Sequence, residues 1–356
     1  MFTSLGFETL TAPQAAVWFG LALGLAFGAL AQVTAFCLRR GLVGQDRRGA
    51  RAVWLAALAV ATLGTQIAVA RGWIAFDDHR LMTGNLPVAA ILVGGLLFGA
   101  GMVLARGCVA RLTVLGAGGN LRALTVVTLF AVTAHATLKG ILSPLRTSIG
   151  AITLDLPSAS LAALPGGAAL WTGLIAASAA AYALRHRPSW GFLAGAAAIG
   201  ALVPIGWIGT GFVLFDDFEP IALESLSFTA PWADSLFFTI ASTAIPANFG
   251  IGLIGGTLVG AGLLAALRGQ FSWQSFTSPR ETGRYLAGAV LMGFGGVLAG
   301  GCTVGAGLAG IPTLSVAAIL ALLAMVGGAV ATDRILNAAS SGSAGSSPRP
   351  QAIPAE

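Results

Sequence analysis

The sequence is poor in charge. Lys, Arg, Asp and Glu make up 9% of its 356 residues, against roughly 25% in an ordinary soluble domain. So little charge excludes a chain that covers itself with polar surface in water. Cysteine is scarce as well, with three residues, and so is histidine, with three. An odd number of thiols without any CxxC spacing excludes a disulfide framework and a zinc ribbon. His79, His135 and His186 stand in no ligand pattern, so no metal and no cofactor are expected. No G-x-x-x-x-G-K-[ST] loop is present, which removes direct drive by ATP.

What fills the space is apolar. Hydrophobic residues are 56% of the chain and its mean hydropathy is +0.87. Runs of roughly 20 apolar residues are long enough to cross a bilayer. Nine such runs are read at 15–37, 51–70, 86–106, 121–142, 166–184, 190–210, 249–267, 283–300 and 312–335. The expected fold is therefore all-α: a polytopic membrane protein of about nine transmembrane helices plus short re-entrant helices. The first run is too long for a signal-peptide core and has no basic leader, so it is read as a retained span. Residues 1–337 are expected to form a single membrane transport domain with halves at about 15–165 and 166–337. Residues 338–356 read as a disordered cytoplasmic tail.

The net charge of +6 is not spread like that of a nucleic-acid binder. Arginines gather in alternate loops, at Arg39–Arg51, Arg106–Arg122, Arg185–Arg187 and Arg268–Arg284, and again at Arg334 and Arg349. The other loops hold only Arg71, Arg80, Lys139 and Arg146, with most of the acids, among them Asp77, Asp78, Asp216, Asp217 and Glu224. Positive residues favour the cytoplasmic side. With nine spans this sets the N-terminus outside and the C-terminus in the cytoplasm of a bacterial inner membrane. The partners expected from composition are membrane lipid and no nucleic acid.

One phrase occurs twice. Aligning Gly94–Cys108 with Gly288–Cys302, at an offset of 194, leaves nine of fifteen positions identical, including both cysteines. One copy ends the third span and the other the eighth. An odd number of crossings lies between them, so the two are inverted in the membrane. Inverted repeats mark transporters, whose substrate sites lie where the repeats meet. A short helix begun just after each cysteine aims its N-terminal amides at that place, an arrangement that favours anions. A thiol there offers a weak donor and a polarisable sulfur, suited to a sulfur-containing anion. Cys37, in "AQVTAFCLRRG", has no clear counterpart at Pro231. The alternative for all three is a small buried hydrophobe.

The candidate substrate path is Cys37, Cys108 and Cys302. Substrate-binding candidates beside it are Gly107, Arg111, Gly301, Thr303, Gly305, Ser225, Ser227, Thr229 and Gln32. Arg111 either draws an anion inward or marks the inner face. Gln32 and His135 lie within spans, where polar groups are costly, and each is read first as a helix-to-helix hydrogen bond. Glu224, on the side where an anion arrives, is read as capping a helix or bracing a loop. Two glycine ladders, Gly20/Gly24/Gly28 and Gly252/Gly256/Gly260, are read as close helix packing.

Over about 15–335 the chain resembles the YeeE/YedE family of sulfur-compound transporters. The resemblance rests on "AFCLRRG", "RGCVARLTVLGAGGNLRAL", "LESLSFTAP", "FSWQSFTSPRET" and "LMGFGGVLAGGCTVGAGLAG". It implies an hourglass of nine spans in two pseudo-symmetric halves. It also implies that the cysteines pass thiosulfate by S–H···S contacts, and that a cytosolic sulfur-carrier protein is a possible partner. Two other functions stay open: transport of another sulfur or selenium compound, and an intramembrane enzyme with a cysteine nucleophile. The enzyme needs a base beside a thiol, and no histidine adjoins any of the three in sequence.

Overall fold

The computed structural model describes residues 11–344 except 78, 83 and 217. Asp78, Asp217, Arg349 and the segment 345–356 lie outside the described residues. Among those described, thirteen α-helices are α1 (Ala12–Thr34), α2 (Leu38–Val43), α3 (Arg47–Ala70), α4 (Val88–Leu104), α5 (Val109–Ala117), α6 (Leu121–Lys139), α7 (Ser143–Gly150), α8 (Gly167–Arg185), α9 (Trp190–Ile208), α10 (Thr229–Ile240), α11 (Phe249–Leu267), α12 (Pro279–Leu298) and α13 (Val316–Ala344). A π-helical segment, Thr303–Gly310, follows α12. Two two-residue strands, Asn85–Leu86 and Leu154–Asp155, pair antiparallel. Among the described residues nine segments are long and apolar enough to cross a membrane, so the chain is an all-α polytopic membrane protein. The last helix runs on past Asn337 to Ala344, beyond the point at which composition put the start of the tail.

Helix ends in or near lipid must satisfy their free amides within the protein. Short polar side chains do so here. Asp46, Asn120, Ser189, Asn248 and Ser278 each accept from the amide three residues on, opening α3, α6, α9, α11 and α12.

Side-by-side packing depends on missing side chains. α1 and α11 lie so close that Gly20, Gly24 and Gly28 face the carbonyls of Phe249, Leu253 and Thr257, while Gly252, Gly256 and Gly260 face those of Val17, Leu21 and Leu25. The ladders read from the sequence are thus two sides of one seam. Gly101 and Gly288 form a second seam between α4 and α12, and Gly99 packs α4 on α13.

The contact scheme repeats. α1 packs on α11 and α9 on α3; α4 packs on α13 and α12 on α6; α2 packs on α3 and α10 on α11. Exchanging α1–α6 in order with α9, α10, α11, α12, Thr303–Gly310 and α13 leaves this scheme unchanged. α7 and α8 lie outside it. In that exchange α2 corresponds to α10, whose N-cap is Phe228. The counterpart of Cys37, N-cap of α2, is therefore Phe228 rather than Pro231.

Candidate functional site

The three cysteines share one local construction. Each follows by two residues a backbone in the left-handed region: Ala35 (φ 50°), Arg106 (φ 58°) and Gly300 (φ 76°). Each then stands in extended conformation as the N-cap of a new helical segment, α2, α5 or Thr303–Gly310. The left-handed residue closes the preceding helix. After α1 and α12 the next amide reaches back five residues, Phe36 N–H to Ala31 O and Gly301 N–H to Gly296 O, the bond of a Schellman cap. The chain thus stops a helix, turns and starts another with sulfur at the break. At Cys302 the sulfur accepts from the Gly305 amide at 3.3 Å. The amides of Arg40 and Arg111 stand towards the sulfurs of Cys37 and Cys108 in looser contact.

All three are free thiols and buried, with exposures of 7%, 2% and 0% for Cys37, Cys108 and Cys302. The thiols of Cys37 and Cys108 are close enough to couple electrostatically, and Cys108 couples in the same way to the Thr303 hydroxyl. Thr303 follows Cys302, so the three breaks form one line: Cys302, Thr303, Cys108, Cys37. Arg111 adjoins the two inner sulfurs and its Nη1 donates to Ala31 O at 3.2 Å. Glycine keeps the Cys302 break narrow. A Cβ on Gly301 would meet the Ala306 nitrogen at 2.9 Å, and one on Gly305 would meet Ser227 Oγ at 2.8 Å. Gly107 is less confined, with the Leu112 side chain at 3.1 Å.

A cavity of about 600 Å³ lies beside the Cys302 break, with Gly305 in its wall. Its lining includes His79, Arg80, Glu224, Ser225, Ser227 and Gly305. A small cavity of about 40 Å³ on the other side of the turn is lined by Arg80, Thr229, Gly300 and Gly301. Arg80 stands between the two, and its Nη1 donates to Gly300 O at 3.0 Å. Its surface is open to the cavity while protein encloses it, and burial pulls its pKa below the usual arginine value against the opposing pull of Glu224 and Cys302. A guanidinium so displaced is still a cation at neutral pH. Burial, followed by the charge of Arg80, lowers His79 to about 4, so its ring is neutral at pH 7. Burial raises the Glu224 carboxyl, and Arg80 opposes that rise.

The structure gathers most of the sequence candidates here. Ser225 spends its hydroxyl on Val203 O at 2.8 Å, and Thr229 Oγ1 is buried without a partner among the described residues. The loop at Glu224 is braced by Thr210, whose Oγ1 accepts from the Glu224 N–H at 3.0 Å and donates to its carbonyl at 2.7 Å. Gln32 instead donates to Gln270 Oε1 at 3.2 Å, beyond the end of α11. His135 stacks on Phe237 with ring centres 4.2 Å apart. Reading the sequence for function missed Arg80, which looked like part of a loop-charge pattern. Its signal was position: a cation in a loop otherwise rich in acids, just before the first repeated phrase. Also missed was a buried bond from Trp232 Nε1 to Thr113 Oγ1, 2.7 Å, which ties α5 to α10.

Nine membrane-length helices, a frame built twice and buried thiols at broken helix ends define a polytopic membrane protein of the transporter type. Comparison with known families then gives the particular group. The Sulphur transport family matches residues 31–331, and the chain belongs to it, in keeping with the YeeE/YedE resemblance of its motifs. Among curated relatives, the thiosulfate transporter TsuA of Spirochaeta thermophila is 27% identical, across 86% of this chain and 94% of its own length. The protein of the same name from Escherichia coli is also 27% identical, across 81% of this chain and 86% of its own.

Proposed function

We propose that this protein imports thiosulfate across a bacterial inner membrane, by way of Cys302, then Cys108, then Cys37. The observation that supports this reading is the gathering of three buried thiols at broken helix ends, with Cys302 capped by Gly305, a residue of the 600 Å³ cavity wall, and Cys108 electrostatically coupled to Cys37 and Thr303. Thiosulfate has a terminal sulfur that accepts S–H donors and oxygens that accept amides, which matches thiols set at helix N-termini. Names shared by two relatives along most of the chain support the same substrate. The arginine-rich loops support a cytoplasmic C-terminus, with Arg80 and its cavity on the outer face. In this reading the protein is a transporter and no enzyme. A cytosolic sulfur-carrier protein receives the ion near Cys37.

The test is growth on thiosulfate as sole sulfur source, in cells without their own thiosulfate and sulfate uptake. The full chain is compared with Cys37→Ala, Cys108→Ala and Cys302→Ala at matched membrane levels. Growth that is lost on changing Cys108 or Cys302 supports the reading. Growth indifferent to all three changes removes the cysteines from the path. Absence of growth with the well-expressed full chain redirects the search to other sulfur or selenium anions.

A further inference from the structure

One acid in the cavity beside Cys302 stands without a partner. Glu224 lines that cavity and is half-buried. Thr210 clamps its backbone from both sides, so its side chain leaves from a fixed point. Among the described residues its carboxylate accepts no hydrogen bond and closes no ion pair. A carboxylate with nothing to hold its charge is costly in an enclosed wall. Of the described residues in that wall Arg80 is the one Lys or Arg, and its Nη1 is already given to the Gly300 carbonyl at 3.0 Å. The other titratable groups about Glu224 are Asp77 and His79 in the same wall, Asp234 from α10 and the Cys302 thiol behind Gly305. Asp77 is exposed, so water and salt screen it. His79 is neutral at pH 7. Asp234 acts on Glu224 as a second negative charge.

We propose that Glu224 takes up a proton when the anion enters the cavity, and that its carboxyl group then serves the ion as a hydrogen-bond donor. The reason is charge. Thiosulfate brings two negative charges to the wall and an ionised Glu224 adds a third, with a repulsion that grows as the product of the charges. Protonation removes that charge and turns an acceptor-only group into an O–H donor. The dianion in turn favours the protonated acid, because a like charge nearby disfavours ionisation, and such linkage is reciprocal. Burial already inclines this carboxyl towards its neutral form. The proton comes from the water of the cavity, bonds to one carboxyl oxygen, and returns to that water when the ion moves on to Cys302. The inference rests on the thiosulfate reading above.

The experiment is thiosulfate uptake by the full chain in proteoliposomes, with the outer pH varied, the inner pH held and the membrane potential abolished. Thiosulfate itself stays a dianion over the range. One linked proton changes affinity by at most about 10-fold per pH unit, and here acid strengthens binding. Wild type should therefore show a KM about 10-fold lower at about pH 5.5 than at about pH 8. Glu224→Gln, uncharged throughout, should show a low KM that does not vary with pH. Glu224→Asp should restore the slope, and His79→Asn should keep it. A flat wild-type KM overturns the proposal, and so does a slope in Glu224→Gln parallel to that of wild type. Should Glu224→Gln fail to fold, proton uptake decides: thiosulfate added to purified wild type in weakly buffered detergent solution should raise the pH, and an unchanged pH overturns the proposal. Wild-type vesicles that take up no thiosulfate at any pH overturn the substrate reading itself, a result distinct from either.

Discussion

The seam between α1 and α11 gives a prediction whose size can be worked from the structure. On Gly256 a Cβ would overlap the Leu21 carbonyl oxygen, and it would stand 2.8 Å from both the Leu21 carbon and the Leu25 nitrogen. Non-bonded heavy atoms rest near 3.5 Å, so the helices would have to part by roughly 1 Å. The obstacle is backbone, so no rotamer change relieves it. Because the glycines of the two helices alternate along one seam, separation at Gly256 also loosens contacts at Gly24 and Gly28. Overpacking of this kind costs about 1–3 kcal/mol. Gly255, next in sequence, has nothing within 4 Å of its would-be Cβ. Gly255→Ala therefore changes only backbone freedom and serves as control. Thermal unfolding of the purified protein in detergent, followed by loss of the monodisperse species, should place Gly256→Ala roughly 5 °C below Gly255→Ala. Equal midpoints would refute the seam. The effect should extend to transport, because α1 ends at the break that presents Cys37.

Two more outcomes follow from single groups. Cys302→Ser keeps an acceptor for the Gly305 amide and should be about as stable as wild type. Cys302→Ala should lose about 1 kcal/mol of capping, while thiosulfate uptake fails in both; uptake by the serine variant would remove sulfur from the mechanism. His79 has its pKa lowered to about 4 from the ordinary value near 6.5. Between those values the unfolded chain binds a proton that the folded chain refuses, so stability is full above about pH 6.5 and falls as pH drops towards 4. Across that window the unfolding midpoint should therefore fall further for wild type than for His79→Asn. Parallel curves would contradict the burial of the ring.

Much of the frame was legible because lipid makes apolar length informative. All nine expected runs coincide with membrane-length segments, and the repeat at offset 194 pairs α4 with α12 and α5 with Thr303–Gly310. The third break was hidden. Cys37 shares with the other two a left-handed residue two places earlier, but at Ala35 that conformation leaves no mark in the residue type, since alanine is no usual host for it. The counterpart of Cys37 was missed because the offset there is 191 and the residue is Phe228, so neither spacing nor chemistry repeats. Arg80 was obscured by a rule that reads loop arginines as topology. The glycine ladders announced close approach without naming the partner, because complementarity across 230 residues of chain is set by packing alone.

A frame built twice has no inherent direction. Exchange of its halves returns the same helix-to-helix contacts, so the frame by itself distinguishes neither half. Direction must then reside where the copies disagree, and around the thiols they disagree at Cys37 against Phe228, Arg106 against Gly300 and Arg111 against Gly305. One end offers two sulfurs and two cations; the other offers one sulfur, an aromatic ring and bare glycine opening on a cavity. Three of the differences that give transport its asymmetry thus lie at the thiols themselves, and each can be exchanged between the halves.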